Sequence, residues 1–147
     1  MNDDNFACFE TAIELRFRDL DQNGHISHIA YVEIAEFARV RHMESADISP
    51  ARLVALDRAV IILDVHIKYL NEVLSTAKSV VATSSFVATT GKTLRHEQWI
   101  RSAEGVDNCH LDFTVGLLDL ETRRLRPNPL DELTSIAAKD KPTTKAH

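Results

Sequence analysis

The chain has only two cysteines, Cys8 and Cys109, among 147 residues. They lack metal-ligand spacing and no secretory pattern accompanies them, which excludes a disulfide framework and leaves two reduced thiols as the expectation. A basic excess is missing too: 17 Lys and Arg face 22 Asp and Glu, giving a net charge of −5 and a pI near 5.8. Nucleic acid as the main partner would need a basic surface, so that class is set aside. The one basic run, Arg123-Arg124-Leu125-Arg126, reads as a solvated strand end. No window approaches the roughly 18 apolar residues that span a bilayer. Met1-Asn2-Asp3-Asp4-Asn5 is acidic and polar rather than the basic start of a targeting segment. A cytoplasmic protein without a membrane span is expected. There is no internal repeat and no sign of a second domain, and the length suffices for one core without disulfide or metal.

What is present is patterned. Residues 1–10 read as a disordered lead, 11–134 as one domain and 135–147 as a flexible tail, its last eight or so residues disordered. Thr11 to Arg18 alternate, with Ile13, Leu15 and Phe17 on one face, as a half-buried strand does. From His28 to about Glu44 the apolar spacing becomes helical, with Ser27 at the N-cap position. Between Ile29 and Ala38 only Glu33 and Glu36 are charged. That predicts a helix wrapped by other structure. Ser49-Pro50 ends it, and 51–57 is less regular.

Four strands follow: Ala59–Tyr69, with Ile61, Leu63, Val65, Ile67 and Tyr69 on one face; Lys78–Thr89; Thr93–Ser102; and Val106–Leu120. Turns at Gly91 and Gly105 make the last three an antiparallel meander. The fold class expected is α+β: an antiparallel sheet of about five strands wrapped around one long central helix.

The stretch Arg18–Tyr31 concentrates titratable groups as no other part of the chain does. Asp19-x-Asp21-x-Asn23-Gly24-x-Ile26 matches the first eight positions of a calcium loop, but the closing bidentate carboxylate falls on Ala30, which cannot ligate. A transition-metal site from Asp19, Asp21, His25 and His28 is a second possibility, weakened because Gly24 and the Ser27 cap put His25 outside the helix. The third is acyl-transfer chemistry: a carboxylate beside a helix N-terminus whose free N–H groups and positive dipole end can hold an oxyanion. For Asp19 a structural role in the turn is expected. For His28 a neutral, hydrogen-bonding imidazole is expected beside the dipole. His25 could face substrate or pack the loop. Glu36, costly to bury alone, should pair with Arg39 or a strand residue, or line the acyl site. Tyr31 should be core with its hydroxyl bonded. His66, Lys68, His96 and His110 have no local constellation.

The run Phe17-x-Asp19-x-Asp21-x-x-Gly24-His25-Ile26-Ser27-His28-x-x-Tyr31, then Glu36-x-Ala38-Arg39, resembles the signature of hotdog-fold acyl-CoA thioesterases. It is most similar to the 4-hydroxybenzoyl-CoA and Tol–Pal-associated group, over roughly residues 11–134. The resemblance implies a hotdog fold and hydrolysis of an acyl-CoA or acyl carrier protein thioester, without cofactor or metal, in a homodimer or homotetramer. It puts the catalytic carboxylate at Asp21 and the active-site histidine at His28, with oxyanion N–H groups at the start of the helix. His25, Tyr31 and Glu36, read from the residues themselves, are the further candidates for substrate contact. The family's Gly-Lys-Ser turn, which binds CoA or the acyl chain from the neighbouring subunit, appears as Gly91-Lys92-Thr93. Two asparagines common in relatives are here Ser27 and His28, and the usual Pro and Gly-Asp are missing from Leu70-Asn71-Glu72-Val73. A non-catalytic acyl-binding hotdog protein is the alternative.

Overall fold

The structure is a computed structural model that describes residues 5–16, 19–21, 23–74 and 76–139. Phe17 and Arg18, expected at the end of the first strand, and the last eight residues lie outside them. The order is β1 (Phe9–Glu14), α1 (His28–Ser45), α2 (Pro50–Ala55), β2 (Arg58–Tyr69), β3 (Ser79–Ala88), β4 (Leu94–Ser102), β5 (Asp107–Asp119), β6 (Arg124–Leu125) and α3 (Pro129–Ala138). The antiparallel sheet runs β1-β3-β4-β5-β2, with the two-residue β6 on β5. β3, β4 and β5 form the meander, turning at Gly91 and Gly105.

Helix and sheet meet through the faces that the periodicity dictates. Ala30, Tyr31, Ile34, Ala35 and Ala38 of α1 are buried against Val80 and Ala82 of β3, Leu94 and Ile100 of β4, and Cys109, Leu111, Phe113, Val115 and Leu117 of β5. These alternate along each strand, as a one-sided sheet requires. Gln98 of β4 fastens the layers, its side-chain amide donating to the Ala35 carbonyl at 2.7 Å. No described helix is long and apolar enough to cross a membrane.

Several expectations are corrected. The helix is not wrapped all round: Ile29 is 60% and Phe37 52% exposed. One sheet covers one side of a helix, and the opposite apolar stripe stays open in the single chain. β2 does not keep Ile61, Leu63, Val65, Ile67 and Tyr69 on one face. Its register against β5 shifts between Ile62 and Asp64, a bulge that reverses the alternation. Val65, Ile67 and Tyr69 then pair with the inward Phe113, Leu111 and Cys109, whereas Ile61 lies opposite Gly116.

The packed chain also extends beyond both expected bounds. Phe6 is buried edge-on against Phe86, and β1 begins at Phe9. At the other end α3 carries Leu133, Ile136 and Ala137 into the core, so the fold reaches past residue 134. Pro129 opens α3, since at the first helical position its missing N–H costs nothing. α2 is opened likewise by Pro50 behind the Ser49 cap.

The core holds a polar chain with no sequence signal. His42 Nε2 lies 2.7 Å from the Asn5 carbonyl, so it must carry the proton. Nδ1 of a neutral His42 then accepts from the Ser84 hydroxyl at 2.8 Å. Ser84 in turn accepts from His96 Nε2 at 2.7 Å. Among the described residues His96 Nδ1 has no hydrogen-bond partner. Burial, with the nearby Arg39 and His42 charges, pushes the His96 pKa down to about 3.

Candidate active site

The Asp19–Ser27 loop is a small hairpin tied to the start of α1. Leu20 and Ile26 pair across it, and the Asp21 N–H donates to the His25 carbonyl at 2.7 Å. Gly24, at φ 75°, closes the turn in the left-handed region that side chains avoid. The Ser27 N–H donates to the Asp19 carbonyl at 2.7 Å. The Ser27 hydroxyl accepts from Ile29 N at 3.2 Å, the capping role expected of it.

The two aspartates divide the work. Asp19 is buried. Its carboxylate accepts from the Arg16 backbone N–H at 2.7 Å and from the Arg16 guanidinium at 2.9 Å. Asp21 is exposed, and its Oδ1 accepts from the N–H groups of Asn23 at 2.8 Å and His25 at 3.1 Å. Those bonds, His25 first and then Asn23, hold the Asp21 carboxyl below the usual carboxylate range, because both stabilise the charged form. Among the described residues its Oδ2 takes no hydrogen bond.

Asp21, His25, His28 and Tyr31 line one cleft of about 280 Å³ with Ile26, Tyr69, Leu70, Asn71 and Glu72. His28 is the first residue of α1, and its backbone N–H has no partner among the described residues. This is where an oxyanion could be held. His25 Nε2 lies 3.2 Å from Glu72, so the imidazole both lines the cleft and ties the loop to 70–74. The Tyr31 ring is buried and meets Tyr69 edge-on at 5.5 Å. Desolvation raises its hydroxyl pKa first, and the Val73 backbone hydrogen bond opposes the shift. Among the described residues no three His, Cys, Asp or Glu side chains converge on a metal position. Asp19 is turned onto Arg16.

Not every candidate joins this cleft. Glu36 is 66% exposed, 3.7 Å from Arg39, and lines two other clefts. The premise that it would be buried does not hold. Gly91, Lys92 and Thr93 stand at the far end of the sheet within one chain. They precede Leu94, which pairs with Val115, whereas Tyr69 of the cleft pairs with Cys109. Tyr69, Asn71 and Glu72 are cleft walls the sequence did not single out. Only contact with a loop some forty residues away marks them.

Similar structures share this fold. A Lactobacillus plantarum protein assigned as an oleoyl thioesterase superposes with a TM-score of 0.81 at 16% identity, over 92% of this chain and 52% of its own. This chain thus spans about half of that protein. A 1,4-dihydroxy-2-naphthoyl-CoA thioesterase from Synechocystis gives a TM-score of 0.77 at 15% identity, over 92% of this chain and 100% of its own. The DHNA-CoA thioesterase from Staphylococcus aureus gives 0.73 at 16% identity, over 82% and 80%. At such identities the likeness establishes the fold, a hotdog fold. No curated protein sequence matches the chain. Residues 15–138 match the profile of the thioesterase-like superfamily, a span that takes in the Asp21 loop, the whole of α1 and the sheet down to α3, and to that superfamily this chain belongs.

Proposed function

We propose that the protein hydrolyses an acyl thioester, carried on CoA or an acyl carrier protein, to the free acid. The observation behind this is the meeting, in one cleft, of an ionised carboxylate and an unpartnered helix N-terminal N–H. The thioester carbonyl oxygen would rest on the His28 N–H and the dipole end of α1, which stabilise the tetrahedral oxyanion. Asp21 would either take a proton from an attacking water or attack the carbonyl itself. The thiolate leaves in either case, and the His28 imidazole can orient or protonate it. The depressed Asp21 pKa weakens it as a base. A single turnover in 18O-labelled water, followed by mass analysis of the Asp21 peptide, separates the two routes.

In this reading the working unit is a dimer joined along β2. That strand is twelve residues long, lies at one edge of the sheet and exposes Ile62, Leu63, Val65 and Tyr69. An uncapped apolar edge of this kind is a template for another strand. Antiparallel pairing about a two-fold would carry the partner's β2 start toward this chain's Tyr69 end. The partner's turn at 91–93 would thereby move to the same end of the assembly as the Asp21 cleft.

A screen of acyl-CoA esters of varied chain length, read by free thiol, tests the proposal. Turnover is expected for the wild type, and Asp21→Asn should lower kcat by about 10²–10⁴-fold. Wild-type turnover that survives in Asp21→Asn and Asp21→Ala would sink the mechanism. Acyl-CoA binding with no turnover would favour an acyl-binding protein instead.

A further inference from the structure

The open apolar surface does not stop at the ends of β2. Of thirteen large apolar side chains exposed among the described residues, eight fall between Val54 and Leu74. Four of these lie on β2 and four beyond its ends: Val54 and Leu56 before the strand, Leu70 and Leu74 after it. An edge strand needs cover along its own length, so the two flanks need a cover of their own.

Both flanks lie on the helix side of the sheet, because α1 lines the clefts that they wall. Val54, in the last turn of α2, shares a cleft with Val40 and Met43 of α1 and Val60 of β2. Tyr69 and Leu70 wall the Asp21 cleft with His28 and Tyr31 of α1, and Leu74 pairs with His25 of the same loop. The twelve residues of β2 hold these flanks roughly 40 Å apart within one chain.

A two-fold axis perpendicular to the sheet removes that separation. The register that pairs the full length of β2 with its copy places the axis between Leu63 and Asp64 and sets Tyr69 opposite the partner's Arg58. Neighbouring strands stand about 5 Å apart, and the helices stay on one side. The last turn of the partner's α2 then stands over Tyr69 and Leu70. Charge agrees with this arrangement: the exposed Asp57 and Lys68 sit at opposite ends of β2, so antiparallel pairing brings them together twice.

We propose that the partner's Val54, with Leu56 beside it, closes the open side of the Asp21 cleft and sets the length of aliphatic acyl group accepted. The inference rests on the thioester hydrolase reading and on the β2 dimer described with it. The wall is apolar from both chains, which suits an uncharged hydrocarbon tail. Bulk at position 54 shortens the longest chain taken, and it acts on the active centre of the other subunit.

Val54→Trp should lower kcat/KM at least about tenfold for the longest acyl-CoA esters that the wild type turns over, and leave the shortest within about threefold. Val54→Ala should raise it for esters longer still. Hybrid dimers, purified through two affinity tags, then separate the subunits. In the first, one chain carries both Asp21→Asn and Val54→Trp and the other is wild type. Its competent centre faces the substituted position across the interface, and the loss for long chains should remain. In the second, Asp21→Asn and Val54→Trp sit on different chains, and the wild-type profile should return. The reverse pattern, or one profile in both hybrids, overturns the proposal, and so does a Val54→Trp homodimer with the wild-type profile. Should Val54→Trp fail to assemble, Val54→Ala and its gain take its place in the hybrids. If the wild type hydrolyses no thioester, the hydrolase reading fails, and the contact is read without turnover. In a Cys8→Ser background, which removes the exposed thiol, Val54→Cys combined with Leu70→Cys should give a covalent dimer with a short bis-maleimide. A chain that stays uncoupled overturns the contact.

Discussion

Asp19 and Asp21 stand two residues apart and do opposite jobs, because one carboxylate faces Arg16 and the other faces the N–H groups of its own turn. Asp19 is held from backbone and side chain of Arg16, so it fixes the chain entering the loop. Asp21 is fixed through one oxygen only, and the cleft sees the other. Since its pKa is lowered by the bonds from His25 and Asn23, the active carboxylate form persists above that lowered value and is lost as the pH falls through it. A kcat/KM profile against pH should therefore show no Asp21 acid limb above about pH 4, the ordinary aspartate value. An acid limb near 6 that vanishes in Asp21→Asn would contradict the hydrogen bonding described. The choice of Asp21 over Asp19 as the working carboxylate comes from the resemblance to the thioesterase signature, not from spacing alone. That Asp19 would be buried could not be read from the sequence, since Arg16 becomes its partner only once the chain has turned.

At the scale of elements, α1, β3 and β4 are joined by the chain His42–Ser84–His96, which bears on acid stability. His96 titrates near 6.5 when unfolded and near 3 in the fold. Below pH 6.5 the unfolded chain takes a proton that the folded chain refuses, so this contribution is full above 6.5 and is lost as the pH falls toward 3. The His42 pKa is lowered in the same direction, chiefly by burial. Urea midpoints measured from pH 7 to pH 4 should report a loss of roughly 3 kcal/mol from His96 alone. A His96→Gln variant should flatten that slope. An unchanged slope in the variant would place the acid sensitivity elsewhere. Neither histidine announced this in the sequence, because the three residues are 42 and 12 positions apart. The helix α1 and the meander were legible, since each carries a clean period. α3 was not, because Pro127 and Pro129 hid a helix start, and the β2 bulge was not, because a reversal of alternation leaves no mark in an unbroken apolar run.

For the whole molecule, the exposed stripe of α1 and the free edge of β2 are the features that one chain leaves unfinished. Ile29, Phe37, Ile62, Val65 and Tyr69 are large apolar side chains open to solvent, and the dimer proposed above would cover those on β2. With assembly through β2, a charge on that strand should break it: Val65→Asp should sediment as a monomer, with hydrolysis at least about tenfold lower. A dimer that persists with wild-type activity would move the interface away from β2. The expectation of a buried helix came close to this point. Its apolar surround is real, but one sheet supplies cover for only half of it.

The sequence by itself determined the order and type of the long elements, the glycine turns of the meander, and the loop that carries Asp21 and His28. These depend on periodicity, capping and turn chemistry, which are local. Only the tertiary structure decided which groups share a space. It set Glu72 beside His25, left Gly91, Lys92 and Thr93 at the far end of the sheet, exposed Glu36, and buried most of Arg39 between that carboxylate and the Phe113 ring. Such pairings depend on how far α1 and the sheet are rotated and shifted against each other, and no run of neighbouring residues encodes that displacement.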